Sequence, residues 1–264
     1  ARGPGGTGWA KMAAAITTGR PYQTRLDPPP ADPRVAHAAA APARASRRYE
    51  PLAHPMDSRR VCAEVGQLPS EQILIGNGPL RVVWARSQQI PTALQEIGRL
   101  REIAFRQVGE GTGRELDLDT FDAAYLHLFV WNQESSEIVG AYRMGPTDEI
   151  LPVQGKRGLY TSTLFRFRTP LLEQIGTALE LGRSFVRPEY QKSHSALSLL
   201  WKGIGRFAAR NPRYRMLFGP VSISNEYQSM SRQLLMAFLR MNRYVSHLGR
   251  WLTPRNPPRA LRGE

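Results

Sequence analysis

Residues 178–186, Ala-Leu-Glu-Leu-Gly-Arg-Ser-Phe-Val, constrain this chain more than any other stretch. They read as a short apolar strand, and Arg187-Pro188 breaks it before a helical pattern begins. Inside that strand sit Glu180 and Arg183. A charge in a buried strand is costly unless it is paired or used. Either the two residues pair with each other, or they point outward from an alternating strand, or they belong to a site.

The surrounding pattern mixes strands with helices. Leu80-Arg-Val-Val-Trp-Ala85 reads as a strand. Pro91–Gln107 reads as an amphipathic helix, because Leu94, Ile97, Leu100, Ala104 and Val108 recur at helical spacing and Pro91 suits a first turn. Strands are predicted at Tyr125–Trp131 and Glu137–Met144, joined by the polar connection Asn132–Ser136. Tyr160–Phe167 reads equally as a short helix or a loop. Ser195–Arg210 is a predicted helix with Leu199, Leu200, Gly203, Ile204 and Phe207 on one face. A strand at Arg215–Ser224 and a basic helix at Ser231–Tyr244 follow. The order β-α-β-β, then β-α-β-α, predicts an α/β (α+β) fold with a mixed sheet and helices on both faces. A strand, a sharp break, a helix N-terminus and a second strand also bring backbone N–H groups near a bound anion or thioester arm.

The chain of 264 residues carries a formal charge of +14, which implies an acidic partner: nucleic acid, an anionic membrane or an acidic protein. Residues 1–60 hold ten basic and four acidic residues, so +6 of that charge need not lie on the folded domain. We read 1–60 as a disordered Ala/Pro/Arg-rich leader, 61–253 as the folded domain and 254–264 as a polar tail. The chain starts at Ala1, so it is either processed or a fragment. Cys62 is the one cysteine and cannot form an internal disulfide. The five histidines form no close ligand pair, so no metal site is expected. No apolar run reaches the roughly 18–20 residues of a membrane span. The chain is expected in the cytoplasm or peripherally at the inner face of the cell membrane. Interleaved basic and aromatic motifs are missing, which argues against a specific nucleic-acid partner.

Leu100-Arg101…Phe105, Asp119 and Asp122, Val139-Gly-Ala-Tyr-Arg143 and Glu180-Leu-Gly-Arg183 together resemble the acyl-homoserine-lactone synthases. They resemble still more closely the ornithine-lipid N-acyltransferases of the GNAT-like superfamily. The most specific stretches are 179–190 and Phe218-Gly-Pro-Val-Ser-Ile-Ser224, and the resemblance covers residues 75–245 or so. It implies a GNAT-like acyl-CoA N-acyltransferase fold. It also implies transfer of a fatty acyl or 3-hydroxyacyl group from an acyl-carrier-protein thioester to an amino-acid amine such as ornithine, in aminolipid biosynthesis. Glycine, another amine or a lactone product are the alternative outcomes. The same domain also occurs behind a glycerolipid-acyltransferase domain in hemolysin-like proteins. Such a partner domain needs a His-x-x-x-x-Asp motif, and none of the five histidines has Asp five positions later; Arg59 follows His54 and Leu199 follows His194. A non-catalytic lipid- or nucleic-acid-binding module is the remaining class.

The resemblance also assigns roles. Glu180, Arg183 and Arg143 are the expected catalytic residues, with Glu180 taking a proton from the amine. Backbone N–H groups around Phe185 and Val186 are expected to stabilise the thioester oxyanion. Arg101, Asp119, Asp122, Arg143, Glu180 and Arg183 form a charged cluster on the amine side, able to bind an amino-acid carboxylate through bidentate pairing. Phe105 has an aromatic counterpart in the family, though a core role is open to it. No tightly bound cofactor is expected. His194 stands where coenzyme-A-using relatives have the first glycine of their pyrophosphate loop, which favours a carrier-protein donor. Lys202, Arg206, Arg210, Arg213 and Arg215 are the candidates to dock that acidic carrier. The apolar, basic segment 232–252 either lies in an anionic membrane interface or is a core helix with a basic outer face.

Overall fold

The computed structural model describes residues 49–192, 194–223 and 227–256, with His194 and Ser229 described by backbone alone. The bulk of the expected leader and the end of the tail therefore lie outside the described residues. In chain order the elements are α1 (Ser58–Gly66), β1 (Ile73–Asn77), β2 (Leu80–Arg86), α2 (Pro91–Gln107), β3 (Leu126–Asn132), β4 (Glu137–Pro146), α3 (Thr147–Gln154), β5 (Phe165–Phe167), α4 (Thr169–Ile175), β6 (Ala178–Val186), α5 (Pro188–Gln191), α6 (His194–Arg210), β7 (Met216–Phe218), α7 (Ser229–Arg243), α8 (Ser246–Gly249) and β8 (Leu252–Pro254).

Six strands form one sheet in the order β1-β2-β3-β4-β6-β7. All neighbours are antiparallel except β6 and β7, which run parallel. Strand alternation divides the core between the two faces. Val82, Leu128 and Val130 meet Leu199, Leu200, Ile204 and Phe207 of α6. Val83, Phe129 and Trp131 meet Ala93, Ile97, Leu100 and Ala104 of α2, with Val61 of α1 behind them. Each fully buried Leu, Ile or Phe contributes roughly 1.5–3 kcal/mol. Helix α6 can lie this close to the sheet because residue 203 is glycine: a Cβ there would stand 2.5 Å from Val82 Cγ1.

The sheet is mixed, with helices on both faces, as the element order predicts. Four details differ from the sequence reading. Packing begins before residue 61: Glu50 N–H donates to Gly113 O at 2.8 Å, and the Arg106 guanidinium lies 4.9 Å from the Tyr49 ring. The strand expected over Arg215–Ser224 shrinks to Met216–Phe218, because Gly219 turns in against the Leu181 carbonyl and Pro220 has no N–H to pair. Residues 160–167 are neither one helix nor one loop. They make a 3₁₀ turn over Tyr160–Thr163 and then β5, which pairs with β8. Finally, α7 is not a core helix, since Leu234, Leu235, Phe238 and Leu239 are all exposed.

Candidate active site

The charged residues converge at one end of the sheet, where β6 leaves β7. The β6–β7 register ends at Glu180–Phe218, while β6 stays paired with β4 as far as Val186–Gly140. The β7-side edge of β6 therefore opens once the chain has passed Leu181, against whose carbonyl Gly219 still lies. Arg187 N–H donates to Val139 O on β4 at 2.9 Å. Successive amides alternate along a strand, so the Val186 N–H faces the opened edge. Phe185 sends its side chain into the α2-side core, where it is buried.

A bulge aims Arg183 into the same place. Ala141 pairs with Phe185 and Arg143 with Gly182, so Arg183 and Ser184 together oppose Tyr142. Arg183 takes the left-handed conformation, with φ of 52°. Such a backbone costs energy for any residue with a Cβ and clusters at functional sites. Of the alternatives for Glu180 and Arg183, a pair between the two does not form. Arg183 instead reaches Asp117 Oδ2 at 3.5 Å and Asp119 Oδ2 at 3.9 Å, with its guanidinium 5.7 Å from the Phe105 ring and 5.0 Å from the Tyr160 ring.

Arg101 on α2 and Arg143 on β4 are each 1% exposed. Burying guanidinium groups so deeply is tolerable only with close carboxylates. Arg101 grips both oxygens of Asp122, at 3.3 and 3.0 Å, and donates to the Asp117 carbonyl at 2.9 Å. Arg143 Nη1 stands 2.6 Å from Asp119 Oδ1 and 3.2 Å from Asp122 Oδ1. The rings of Phe121, Tyr125 and Tyr160 surround the Arg143 guanidinium at 5.7, 5.0 and 5.3 Å. Several buried polar atoms nevertheless lack a hydrogen-bond partner among the described residues: Arg143 Nε and Nη2, Arg183 Nε and Asp117 Oδ2.

Electrostatics follow from this burial. Burial opposes ionisation of Asp122, but the Arg101 and Arg143 guanidinium groups outweigh it and hold the carboxyl down at about 2. Burial pushes Asp117 up despite Arg101 and Arg183. Burial also depresses His127 to about 4, so the ring is neutral at pH 7 and its Nε2–H donates to the Asp122 carbonyl at 2.9 Å. Tyr125 is pushed up, first by burial and then by Glu180, and stays a protonated donor.

Glu180 is 1% exposed, and its surroundings differ from those of an open carboxylate. Its Oε1 accepts from the Thr161 N–H at 2.5 Å and from the Thr161 hydroxyl. Its Oε2 accepts from the Tyr160 N–H at 3.0 Å and from the Tyr125 hydroxyl. A carboxylate offers about four lone pairs, and four donors are present. Glu180 thus holds the turn over Tyr160–Thr163 against β6, with Tyr125 between it and the Arg143 cage. Tyr125 fits there because residue 145 is glycine: a Cβ would stand 2.5 Å from its ring.

The structure brings Arg101, Phe105, Asp119, Asp122, Arg143, Glu180 and Arg183 together. It adds Asp117, Tyr125, Tyr160 and Thr161, which the sequence reading missed. Asp117 had a signal in the alternating Leu116-Asp-Leu-Asp119 run; the turn residues had none. The expected docking set divides. All five are exposed, but only Lys202, Arg206 and Arg215 show no protein partner among the described residues. Arg210 instead donates to the Glu71 and Ile73 carbonyls at 3.0 and 3.2 Å, and Arg213 pairs with Asp148 at 3.1 Å. The side chain of His194 lies outside the described residues.

A mostly antiparallel sheet that opens where β6 and β7 run parallel, with helices on both faces, is the arrangement of the GNAT fold. Residues 100–202 match the family model of the acetyltransferase (GNAT) domain. The chain is 38% identical over 181 residues to a glycine N(alpha)-acyltransferase of Phocaeicola vulgatus, an alignment covering 64% of this chain and 55% of the relative. It is 29% identical over 183 residues to the L-ornithine N(alpha)-acyltransferase of Brucella abortus, covering 65% of this chain and 63% of that protein. The chain thus spans about half the length of the glycine relative. A solved aminoglycoside acetyltransferase, HMB0005 from an uncultured soil metagenomic sample, overlaps distantly, with a TM-score of 0.37 at 13% identity over 62% of this chain and 91% of its own.

Proposed function

We propose that this chain transfers a fatty acyl group from an acyl-carrier-protein thioester to the α-amine of a free amino acid, glycine or ornithine. The observation that carries this reading is the set of buried guanidinium nitrogens without partners, Arg143 Nε and Nη2 and Arg183 Nε. Buried N–H donors left unpaired are costly, and an α-carboxylate would satisfy them with charge-assisted bonds. Both named relatives act on the α-amine of an amino acid, where that carboxylate lies one carbon away.

With the carboxylate held, the neutral amine attacks the thioester carbon. The Val186 N–H stabilises the oxyanion, the C–S bond breaks, and the amide and the carrier thiol leave. The amine proton passes through the Tyr125 hydroxyl, hydrogen-bonded to Glu180, and ends on the departing sulfur, so the carrier leaves as the thiol. A carrier-protein donor is supported by the sequence after Arg187, which has no glycine before Gly203 to cradle a pyrophosphate. Exposed Lys202, Arg206 and Arg215 are the proposed contacts for the acidic carrier.

The test compares initial rates with glycine, ornithine and methylamine, using the same acyl chain on carrier protein or coenzyme A. Wild type should strongly prefer an amino acid to methylamine and the carrier to coenzyme A. Arg143→Lys should raise KM for the amino acid at least ~10-fold, the cost of one charged hydrogen bond, and narrow the preference over methylamine. Equal use of methylamine and amino acids by wild type would sink the carboxylate-binding role.

A further inference from the structure

We propose that α7 is an interfacial anchor that lies on the surface of an anionic lipid bilayer. The observation is independent of the reaction. Over Ser229–Arg243, Leu234 is 64% exposed, Phe238 56% and Met241 84%. At roughly 100° per residue, Arg232, Gln233, Arg240 and Arg243 fall within an arc of about 100°. Met230, Leu234, Phe238 and Met241 lie on the opposite side. Exposed Met236 falls inside the arginine arc. A helix that exposes an apolar arc and carries its arginines on the opposite, polar face has the form that seats in the headgroup region.

Charge selects the surface. Residues 227–256 contain five arginines and no aspartate or glutamate. Exposed Tyr227 and Tyr244 flank the helix at its two ends, and aromatic rings with a polar tip suit the membrane–water boundary. Among the described residues no helix is long and apolar enough to cross a membrane, and fifteen residues reach only ~22 Å, so α7 would lie on the bilayer rather than span it. An acidic protein would satisfy the arginines and leave the Leu/Met/Phe arc in water.

The anchor is tied to the active site. After α7 the chain passes through α8 into β8, which pairs with β5. Arg255 Nε then donates to Ser162 O at 2.7 Å, inside the turn whose Tyr160 and Thr161 hold Glu180. A bound membrane would thus sit beside the segment that closes the site.

Co-sedimentation of the full chain with vesicles tests the proposal. Wild type should partition strongly to phosphatidylcholine vesicles containing phosphatidylglycerol and weakly to phosphatidylcholine alone. Leu234→Glu/Phe238→Glu, on exposed positions that folding does not need, should lower the anionic partition at least ~10-fold. Arg240→Gln/Arg243→Gln should lower it less and remove most of its salt sensitivity. Unchanged partition of Leu234→Glu/Phe238→Glu, or equal wild-type binding to neutral and anionic vesicles, would overturn the anchor. So would a wild-type dimer, or a complex with acidic carrier protein, that this double variant abolishes while vesicle binding stays put.

Discussion

Glu180 shows how a single residue can serve fold and site together. Four donors converge on one carboxylate between the buried Leu179 and Leu181 of β6, and they fix the turn that closes beside Arg143. Tyr125 is the pivot, since its hydroxyl donates to Glu180 and accepts the Tyr160 N–H at 2.9 Å. Tyr125→Phe removes one donor and one acceptor while keeping the ring that packs on Gly145 and Arg143. The expected loss is about 1–3 kcal/mol of unfolding free energy, the cost of leaving buried groups unsatisfied. If the pair also takes the amine proton, kcat should fall by ~10²–10⁴ in protein shown to be folded at the assay temperature. Urea unfolding and circular dichroism give the first number, and acyl-transfer rates give the second. A kcat within twofold of wild type would remove Tyr125 and Glu180 from the proton path and leave them as the support of the turn.

At the scale of elements, the site depends on the bulge in β6. Arg183 at φ 52° carries both a strained backbone and a guanidinium, and two substitutions separate them. Arg183→Gly relieves the strain and Arg183→Ala keeps it. The alanine variant should therefore be less stable by about 1 kcal/mol in urea unfolding. Under the proposed carboxylate binding, both should raise KM for the amino acid alike, because both lose the Nε donor. Equal stabilities would mean that the left-handed backbone costs nothing here. The bulge also marks where sequence reading stops. Arg101 and Arg143 came from the family resemblance alone, whereas Glu180 and Arg183 were legible because charge inside an apolar strand is conspicuous. Their partners were not: which carboxylate meets which guanidinium depends on the Arg143–Gly182 register and on one extra residue in β6. No local periodicity encodes either. For the same reason β2, α2, β3, β4 and α6 were visible from spacing, whereas α3, α4 and the turn over Tyr160–Thr163 were not. These short elements take their shape from Glu180 and from the core they cover. The exposure of α7 was invisible as well, since an amphipathic pattern does not say whether protein or another surface meets its apolar side.

For the molecule as a whole, the buried charge cluster makes stability depend on pH. The chain is already strongly basic, so each proton taken up adds to its self-repulsion. His127 is held near 4 in the folded state against an ordinary value of 6.5. The folded protein therefore resists a proton that the unfolded chain accepts readily. His127 contributes in full above pH 6.5, and that contribution is lost as pH falls through about 4, on the order of 3 kcal/mol in all. Asp122 acts in a lower window. Its folded value of about 2 lies below the ordinary 3.8, so its contribution stands above that value and disappears as pH falls through about 2. The two windows barely overlap, which lets one substitution isolate the first. His127→Gln keeps a donor for the Asp122 carbonyl but cannot take up a proton. Urea unfolding of wild type and variant from pH 7 down to about pH 3 should show wild type losing about 3 kcal/mol more than His127→Gln, with the two curves parallel again once pH is well below 4. If the curves run parallel across the whole range, His127 titrates alike in both states, and the acid sensitivity of this fold must come from its carboxylates alone.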